Sequence, residues 1–289
     1  MKVKKRITQY HLHKARPEKL QFELYDLKTY RKESGTMAAV PHSHSYYQII
    51  WFFDAGGTHV VDFRTYQIQS NTVLFIGKDQ IHAFDENLNV NGWLIHFNEG
   101  FFMHSDVDIF LKYTIFNTGK NSFYAMDRAT GTAASNFVAM IREELFNKGR
   151  FGYGEIVRFL LKSFLINLER MHRETTDEAL TISNAYALQF YRFRELVESN
   201  YAKQYTMKEY ANALNISTKT LVTICNAEGG KSPSKIVSER RILQAQRLLR
   251  YTALQVGEIA FRLGFEDVSY FIRFFKRHMG NSPNEYRKK

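Results

Sequence analysis

The side chains with the clearest chemistry lie near the C-terminus, in a segment with helical periodicity. Ser269, Ile272, Arg273 and Lys276 fall on one face of this segment, and Val268 lies at its start. Arginine can pair with O6 and N7 of guanine, serine can bond several base edges, and aliphatic side chains can pack on thymine methyl groups. This face therefore has the chemistry of a helix that reads bases in the major groove of DNA.

The segment belongs to a unit that occurs twice in the last third of the chain. The copies align at an offset of 49 before an internal turn and of 50 after it, so the second turn has one extra residue. The matched pairs are Glu209 with Glu258, Ala211 with Ala260, Leu214 with Leu263, Ser217 with Asp267, Leu221 with Phe271, Ile224 with Phe274, Gly230 with Gly280 and Pro233 with Pro283.

Each copy contains the parts of a helix-turn-helix. A small alanine allows two helices to approach closely, and Asn215 or Gly264 follows the first helix, where a tight turn needs a left-handed conformation. Ser217 or Asp267 can then cap the second helix. We predict helix-turn-helix units at about 206–226 and 255–276. The alternative is a pair of helical hairpins that pack for structure alone.

The outward positions of the two second helices define the predicted DNA contacts. Packing does not explain an exposed isoleucine on an otherwise polar helix face. Contact with a DNA base would explain it. Lysine, arginine and asparagine suit phosphates, which set the register rather than the sequence. We predict base contacts from Lys219, Val222, Thr223, Val268, Ser269, Ile272 and Arg273, and phosphate contacts from Asn226, Arg240, Lys276 and Arg277.

The charge distribution agrees with a polyanion-binding C-terminal third. Residues 184–289 contain 18 Lys and Arg against 9 Asp and Glu, a net charge of +9, out of +11 for the whole chain. The first 183 residues carry a net charge of only +2. A basic patch of this size can bind nucleic acid, although charge alone is equally compatible with a solvated basic face.

A second group of side chains, in the first half of the chain, has the spacing of metal ligands. His42 and His44 lie two apart on what can be one strand face, Gln48 lies four further on, and His82 comes from a later strand. A glutamine is a poor ligand for iron, manganese or zinc. We therefore predict no metal and no cofactor, and the simplest alternative is that these side chains form hydrogen bonds inside the fold.

The elements that hold these groups indicate a two-domain α+β chain. Short aromatic and β-branched runs between about 20 and 100 predict an N-terminal antiparallel β-barrel or jelly roll, with "DAGG" (54–57) as a hairpin turn between strands 46–53 and 58–63. Period-3.6 segments from about 128 to 171 predict two helices, one with an apolar stripe of Ile156, Phe159, Leu160, Ser163, Phe164 and Asn167. We predict an N-terminal domain at 1–171, a polar linker at 172–183 and an all-α domain at 184–289.

Several protein classes are not supported by the sequence. No run approaches 18 apolar residues, the basic N-terminus lacks the apolar stretch of a signal peptide, and Cys225 is the only cysteine. Phosphate-binding and dinucleotide-binding glycine motifs and the nucleophile motif of hydrolases are absent. We therefore expect a cytoplasmic protein that spans no membrane and is not an enzyme.

From Tyr205 to Arg287 the chain resembles the AraC-type (AraC/XylS) family of bacterial transcription regulators, through "IAFRLGFEDVSYFIRFFKRHMGNSPNEYRKK" in particular. The resemblance implies two helix-turn-helix units joined by a long helix, here about 234–250, that read successive major-groove segments about 34 Å apart. Where members often have Arg, this chain has Thr223, and where they have Phe-Lys it has Cys225-Asn226. We therefore expect the second unit to read more of the bases.

The N-terminal half more loosely resembles the cupin-like (jelly-roll) sensor domain of the same family, through "VPHSHSYYQIIWFFDAGGTHVVDF" and "LFIGKDQIHAF". The resemblance implies a small-molecule effector, a homodimer, double-stranded promoter DNA and, as an open option, RNA polymerase as partners. Candidate effector-pocket residues are His42, His44, Gln48, His82, Trp93 and His96. Two alternatives stay open: a metal-dependent cupin enzyme with an appended nucleic-acid-binding module, and a DNA-binding regulator that needs no effector.

Overall fold

A computed structural model describes residues 7–16, 18–102, 113, 115, 123–176 and 184–288 of the chain. The chain separates into two compact units. The first is Thr8–Leu180, and the continuous part of the second is Thr181–Lys289. None of the helices in the described part combines the length and the apolar character that a membrane span requires.

The first unit contains two five-stranded sheets among its described residues. One has the strand order β1-β3-β8-β5-β6 and the other the order β10-β7-β4-β9-β2. The strands are β1 Thr8–Tyr10, β2 Phe22–Asp26, β3 His42–His44, β4 Tyr47–Phe52, β5 Thr58–Val61, β6 Arg64–Gln67, β7 Thr72–Ile76, β8 His82–Phe84, β9 Gly92–Phe97 and β10 Phe123–Ala125. Helix α1, Leu27–Ser34, follows β2 and is capped by the Asp26 carboxylate, which accepts from the Thr29 amide at 2.8 Å.

The two sheets face each other but do not join into one closed sheet, so only the closed-barrel form of the prediction is wrong. Closure would require hydrogen bonds between the edge strands of the two sheets. In the described pairing, β6 bonds only to β5 and β2 bonds only to β9, so each stays within its own sheet. The predicted antiparallel arrangement also has an exception, because β1 runs parallel to β3.

The predicted hairpin at residues 54–57 is also wrong. Strand β4 pairs with β7 and β9, whereas β5 pairs with β6 and β8, so the segment between β4 and β5 crosses from one sheet to the other. The tight turn lies between β5 and β6, where Val61 pairs with Arg64 and Asp62 has a φ of 52°. Aspartate tolerates this left-handed conformation better than most residues, which explains why the chain turns there.

An apolar core fills part of the space between the sheets. Its larger members come from both sheets, which shows that the inward faces pack against each other. Leu27 of α1 and the strand residues Ile50, Phe52, Val61, Leu74, Ile76, Phe84 and Leu94 belong to this core. Buried histidines occupy the same space and lie beside core residues, since His59 pairs with Phe84 and His82 with Val61.

Two helices follow the strands: α2, Arg128–Leu145, and α3, Tyr153–Thr176. The predicted apolar stripe on α3 is divided. Phe164 is fully buried, with its ring 6.5 Å from that of Trp51, whereas Ile156 and Phe159 are 43% and 60% exposed. The helix runs five residues into the segment predicted as a linker, and residues 177–183 lie outside the described part of the chain.

The described part of the second unit is helical throughout. A long helix, α7, stands between two pairs of short helices that have matching lengths. The helices are α4 Asn184–Asn200, α5 Met207–Ala213, α6 Thr218–Gly229, α7 Pro233–Tyr251, α8 Val256–Arg262, α9 Val268–Met279 and α10 Pro283–Lys288.

Each short pair has its own apolar core, and α7 contributes to both. Val237 of α7 packs with Tyr210, Leu221 and Cys225 of the first pair. Ile242, Ala245 and Leu249 of the same helix pack with the second pair, whose buried residues include Ile259, Leu263, Phe271 and Phe275. The long helix therefore holds the two pairs in one compact unit.

Candidate nucleic-acid interface and interior histidine cluster

The turn within each short pair has the same construction. In the first pair, Asn215 lies in the turn after α5 and has a φ of 55°. Gly264 takes the equivalent position after α8 in the second pair, with a φ of 80°. Two residues after Asn215, the Ser217 hydroxyl accepts from the Thr220 amide at 3.0 Å. In the second pair the Asp267 carboxylate accepts from the Tyr270 amide at 2.8 Å. These caps fix where α6 and α9 begin.

The two second helices also end alike and bury equivalent faces. Both span twelve residues, and both are followed by a glycine in the left-handed conformation, Gly230 or Gly280. Helix α6 buries Leu221, Ile224 and Cys225, and α9 buries Phe271, Phe274 and Phe275. The opposite faces of α6 and α9 are therefore the surfaces available to a ligand.

The exposed face of α9 contains most of its predicted polar contacts. Ser269, Arg273, Lys276 and Arg277 are exposed. Val268 and Ile272 differ from the prediction, because both are only partly exposed and pack against the core of the second pair. Ile272 therefore has a packing role that the sequence did not reveal, and the exposed part of its side chain borders the polar face.

The exposed face of α6 is less charged. Lys219, Val222, Thr223 and Asn226 are all exposed, with Val222 at 38%. The Thr223 hydroxyl donates to the Lys219 carbonyl at 3.1 Å, which leaves its oxygen able to accept another hydrogen bond. This face offers one lysine, whereas the exposed face of α9 offers two arginines and a lysine.

Tyr270 is an exposed polar aromatic residue on α9 that the sequence analysis did not select. Its side chain is 51% exposed, and it lies three residues before Arg273, on the adjoining part of the same helix surface. The three-residue spacing is the signal that could have identified it.

Arg240 does not occupy the position predicted for a phosphate contact. Its Nε lies 2.8 Å from both carboxylate oxygens of Glu198, and its guanidinium lies 4.1 Å from the ring centre of Tyr201. Only 10% of the side chain is exposed. The neighbouring Arg241 also bonds internally, from Nε to the Tyr201 carbonyl and from Nη2 to the Lys203 carbonyl. Both guanidiniums therefore join α7 to α4 and the segment after it.

In the first unit, four of the predicted pocket histidines are brought together. His42 and His44 of β3, His82 of β8 and His96 of β9 are each no more than 4% exposed. The ring centres of His42, His44 and His82 lie 4.4–4.9 Å apart. Gln48 of β4 pairs directly with His96 and is 1% exposed, so it faces the same interior.

The sequence analysis missed two members of this interior. His59 of β5 is fully buried, and its Nε2 lies 3.1 Å from Nδ1 of His82. Tyr46, which precedes β4, stacks on His44 with 4.4 Å between ring centres. His59 lies two residues before the apolar Val61 on the same strand, so both face the same side, and this spacing is the signal that could have revealed His59.

Trp93 does not belong to the histidine cluster. It alternates along β9 with the inward-facing Leu94 and His96, so its side chain lies on the other face of the sheet. There the Arg142 guanidinium of α2 lies 4.8 Å from the centre of the Trp93 ring. The period of two along the strand therefore excludes it from the pocket.

Burial keeps the clustered histidines neutral. It lowers the pKa of His59 and of His96 to about 3, with neighbouring charged groups adding to the effect of burial. The pKa values of His42, His44 and His82 are lowered for the same main reason, in His42 against a hydrogen bond to the Val40 carbonyl. At neutral pH each ring therefore has one N–H and one lone pair.

Comparisons with known proteins find a helix-turn-helix domain near the C-terminus and transcriptional activators that align over most of the chain. Residues 210–289 match the family described as a helix-turn-helix domain. The HTH-type transcriptional activator RhaS of Enterobacter sp. (strain 638) is 23% identical over 253 residues, which cover 86% of this chain and 88% of that protein. The HTH-type transcriptional activator RhaR of Klebsiella pneumoniae subsp. pneumoniae is 21% identical over 249 residues, with 86% and 87% covered.

Among solved structures, the DNA-binding domain of AdpA, the global transcriptional factor, in complex with a target DNA, is 28% identical. The match covers 34% of this chain and 88% of that domain, with a TM-score of 0.33. The C-terminal match to a helix-turn-helix domain and the transcriptional activators that align over most of the chain support a DNA-binding transcription regulator of the AraC type.

Proposed function

We propose that this regulator reads promoter DNA with two helix-turn-helix units, α5–α6 and α8–α9, and responds to a small effector in its N-terminal unit. The observation that carries the proposal is the structural repeat. Two pairs of helices share their turns, caps and lengths, and each leaves one polar helix face exposed in the basic part of the chain.

The second helix-turn-helix unit, α8–α9, supplies the stronger base contacts in this proposal. Arg273 is exposed and can donate two hydrogen bonds to guanine, and Ser269 lies one turn before it. Val268 and Ile272 are positioned to contact thymine methyl groups with the parts of their side chains that remain exposed. In the first helix-turn-helix unit, α5–α6, the contacts are weaker or apolar and come from Lys219, Val222 and Thr223.

Phosphate contacts come from the ends of the same helices. Asn226, Lys276 and Arg277 are exposed on the later turns of α6 and α9. Tyr270 adds a hydroxyl that can bond a phosphate. Arg240 is withdrawn from the set because its charge is already paired with Glu198.

The N-terminal unit supplies the effector site and the dimer contact. His42, His44, Gln48, His82 and His96 remain the proposed pocket residues, and Trp93 is withdrawn because it lies on the other face of β9. For the dimer, Ile156, Phe159 and Ile166 lie along one side of α3 and are 38–60% exposed, an apolar strip that a second copy would cover.

The relatives support a regulatory rather than a catalytic role. Both are named transcriptional activators, which makes RNA polymerase a proposed partner and the cytoplasm the proposed location.

The experiment that tests the DNA contacts compares Arg273→Ala with Lys276→Ala on a set of operator variants.

Arg273→Ala should cost about 1–3 kcal/mol on the preferred operator and relax specificity at one base pair. Lys276→Ala should weaken all sequences similarly and reduce the slope of log K against log salt concentration by about 0.9. Arg192→Ala, which removes the same charge from the exposed surface of α4, is the matched control and should leave specificity unchanged. If Arg273→Ala weakened every sequence equally, Arg273 would contact phosphate and the assignment of the α9 face would be wrong.

A further inference from the structure

We propose that His42, His44 and His82 form a binding site for one divalent transition-metal ion between the two sheets of the N-terminal unit. The ions that suit imidazole ligands are Zn²⁺, Co²⁺, Ni²⁺ and Cu²⁺. This inference reverses the expectation from the sequence, which rested on glutamine in place of a carboxylate. The ion would lie in the proposed effector pocket, so this inference rests on that part of the proposed function and specifies what the pocket binds. It does not depend on how the C-terminal unit contacts DNA.

The first argument is the convergence of the ligand atoms. One ring nitrogen of each histidine lies within 4.8 Å of those of the other two. His82 Nε2 and His44 Nδ1 are 3.2 Å apart, close to the ~3.3 Å between two nitrogens that bind one tetrahedral metal ion at about 2.0–2.1 Å. Small side-chain adjustments are therefore enough to bring three nitrogens around one ion.

The second argument is the support that the rings receive from outside the triad. His42 Nδ1 lies 2.8 Å from the Val40 carbonyl oxygen, which makes Nδ1 the protonated nitrogen and leaves the lone pair on Nε2. His82 Nδ1 lies 3.1 Å from His59 Nε2. Metal-binding histidines commonly bond through their second nitrogen in this way, because the bond fixes both tautomer and ring orientation.

The third argument is the unused hydrogen-bonding capacity around the triad. In the described structure, His44 Nε2, His96 Nε2, His59 Nδ1 and Gln48 Oε1 are buried without a hydrogen-bond partner. A buried polar group left unpaired costs about 1–3 kcal/mol. These four atoms are not the nitrogens that converge on the ion, and they show that the interior around the triad has spare polar groups for a further ligand of the ion, such as a water molecule. Three neutral imidazoles with an open fourth position are a known ligand set for Zn²⁺.

The experiment uses the full-length protein after treatment with a chelator. Co²⁺ is titrated in and its visible absorption bands are recorded, followed by displacement with Zn²⁺. We expect one ion per chain. Both tryptophans, Trp51 and Trp93, lie in the N-terminal unit, so their fluorescence reports whether that unit is folded in each variant.

His44→Gln and His82→Gln should each weaken Co²⁺ binding by at least about 100-fold, more than the 10–100-fold typical of an outer partner. His59→Gln should fall within that smaller range, because His59 acts through His82. The control is the double variant His11→Gln, His13→Gln, which removes two histidines near the N-terminus outside the triad and should bind normally.

The proposal is overturned if no ion binds at one per chain, or if folded His44→Gln and His82→Gln variants bind as tightly as the parent. If either variant fails to fold, X-ray absorption of the Zn²⁺-loaded parent protein decides. Three imidazole nitrogens at about 2.0–2.1 Å support the site. A shell without three imidazoles contradicts it.

Discussion

Gly264→Ala tests whether the turn of the second helix pair is sterically locked. Gly264 has a φ of 80°, and a Cβ atom built there would lie 1.9 Å from the carbonyl oxygen of Ala202. Gly280, with a φ of 76°, has no atom within 4 Å of the equivalent Cβ position. The two glycines share the backbone conformation and differ in the contact, so Gly280→Ala is a matched control.

The expected difference can be worked out from these contacts. A left-handed alanine costs about 1–2 kcal/mol, and the reduced freedom of the unfolded chain returns about 0.4–1 kcal/mol. Gly280→Ala should therefore destabilise by about 1 kcal/mol. At Gly264 the Ala202 backbone must also move, although the carbonyls on both sides of it, of Tyr201 and Lys203, are held by Arg241.

Overpacking adds about 1–3 kcal/mol, and loss of one hydrogen bond from a charged donor adds about 1.5–3 kcal/mol. With the ~1 kcal/mol for the left-handed alanine, we expect Gly264→Ala to lower the free energy of unfolding by about 3.5–7 kcal/mol in total. The assay is urea unfolding of residues 181–289, followed by circular dichroism. Equal destabilisation of the two variants, within about 0.5 kcal/mol, would refute the steric argument and show that the Ala202 segment yields freely.

Three further predictions concern other parts of the chain. Phe159→Glu should convert a dimer into a monomer in sedimentation, because it places a charge on the exposed apolar side of α3, whereas Phe151→Glu, in the turn before α3, should not. Cys225, buried and with a pKa raised to about 12, should resist thiol reagents until the helical unit unfolds. The metal-free N-terminal unit should lose stability in acid, because the folded-state pKa values of His59 and His96 are about 3 and their unfolded values are about 6.5.

The sign of the pH effect follows from proton uptake. Below about pH 6.5 the unfolded chain binds protons that the native unit cannot, so stability falls towards pH 3 by up to ~1.4 kcal/mol per pH unit for each histidine. Tryptophan fluorescence should show the transition. Stability that is constant between pH 7 and 5 would contradict the buried neutral histidines. Rapid labelling of Cys225 in the native protein, or a Phe159→Glu dimer, would contradict the other two predictions.

The helical unit could be predicted in detail because its signals are local. Each helix pair is specified by residues close to the feature that they determine. The turns follow from Asn215 and Gly264, and the starts of α6 and α9 follow from the capping residues Ser217 and Asp267. The offsets of 49 and 50 then identify the two pairs as copies of one unit. The sequence did not reveal which of the side chains predicted to be exposed instead form contacts within the protein. Arg240 pairs with Glu198, 42 residues away along the chain, and Ile272 packs on a core built from α7 and α8.

The sheets of the N-terminal unit were less predictable because strand pairing is not local. The strand runs could be recognised, but nothing near residues 54–57 indicates that β4 and β5 belong to different sheets. The period of two along β9 was sufficient to place Trp93 opposite to His96, and the same period along β5 pointed to His59. The closeness of the histidines depends on the pairing of β3 with β8, which only the fold establishes.

The most direct test of the proposed function is selection of bound duplexes from a random DNA pool by the full-length protein. Two helix-turn-helix units predict an enriched motif with two short elements about one helical turn, ~34 Å, apart. The element read by α9 should be the more strongly specified. A single undivided element, or no enriched motif from either the full chain or residues 184–289, would contradict the double reading unit.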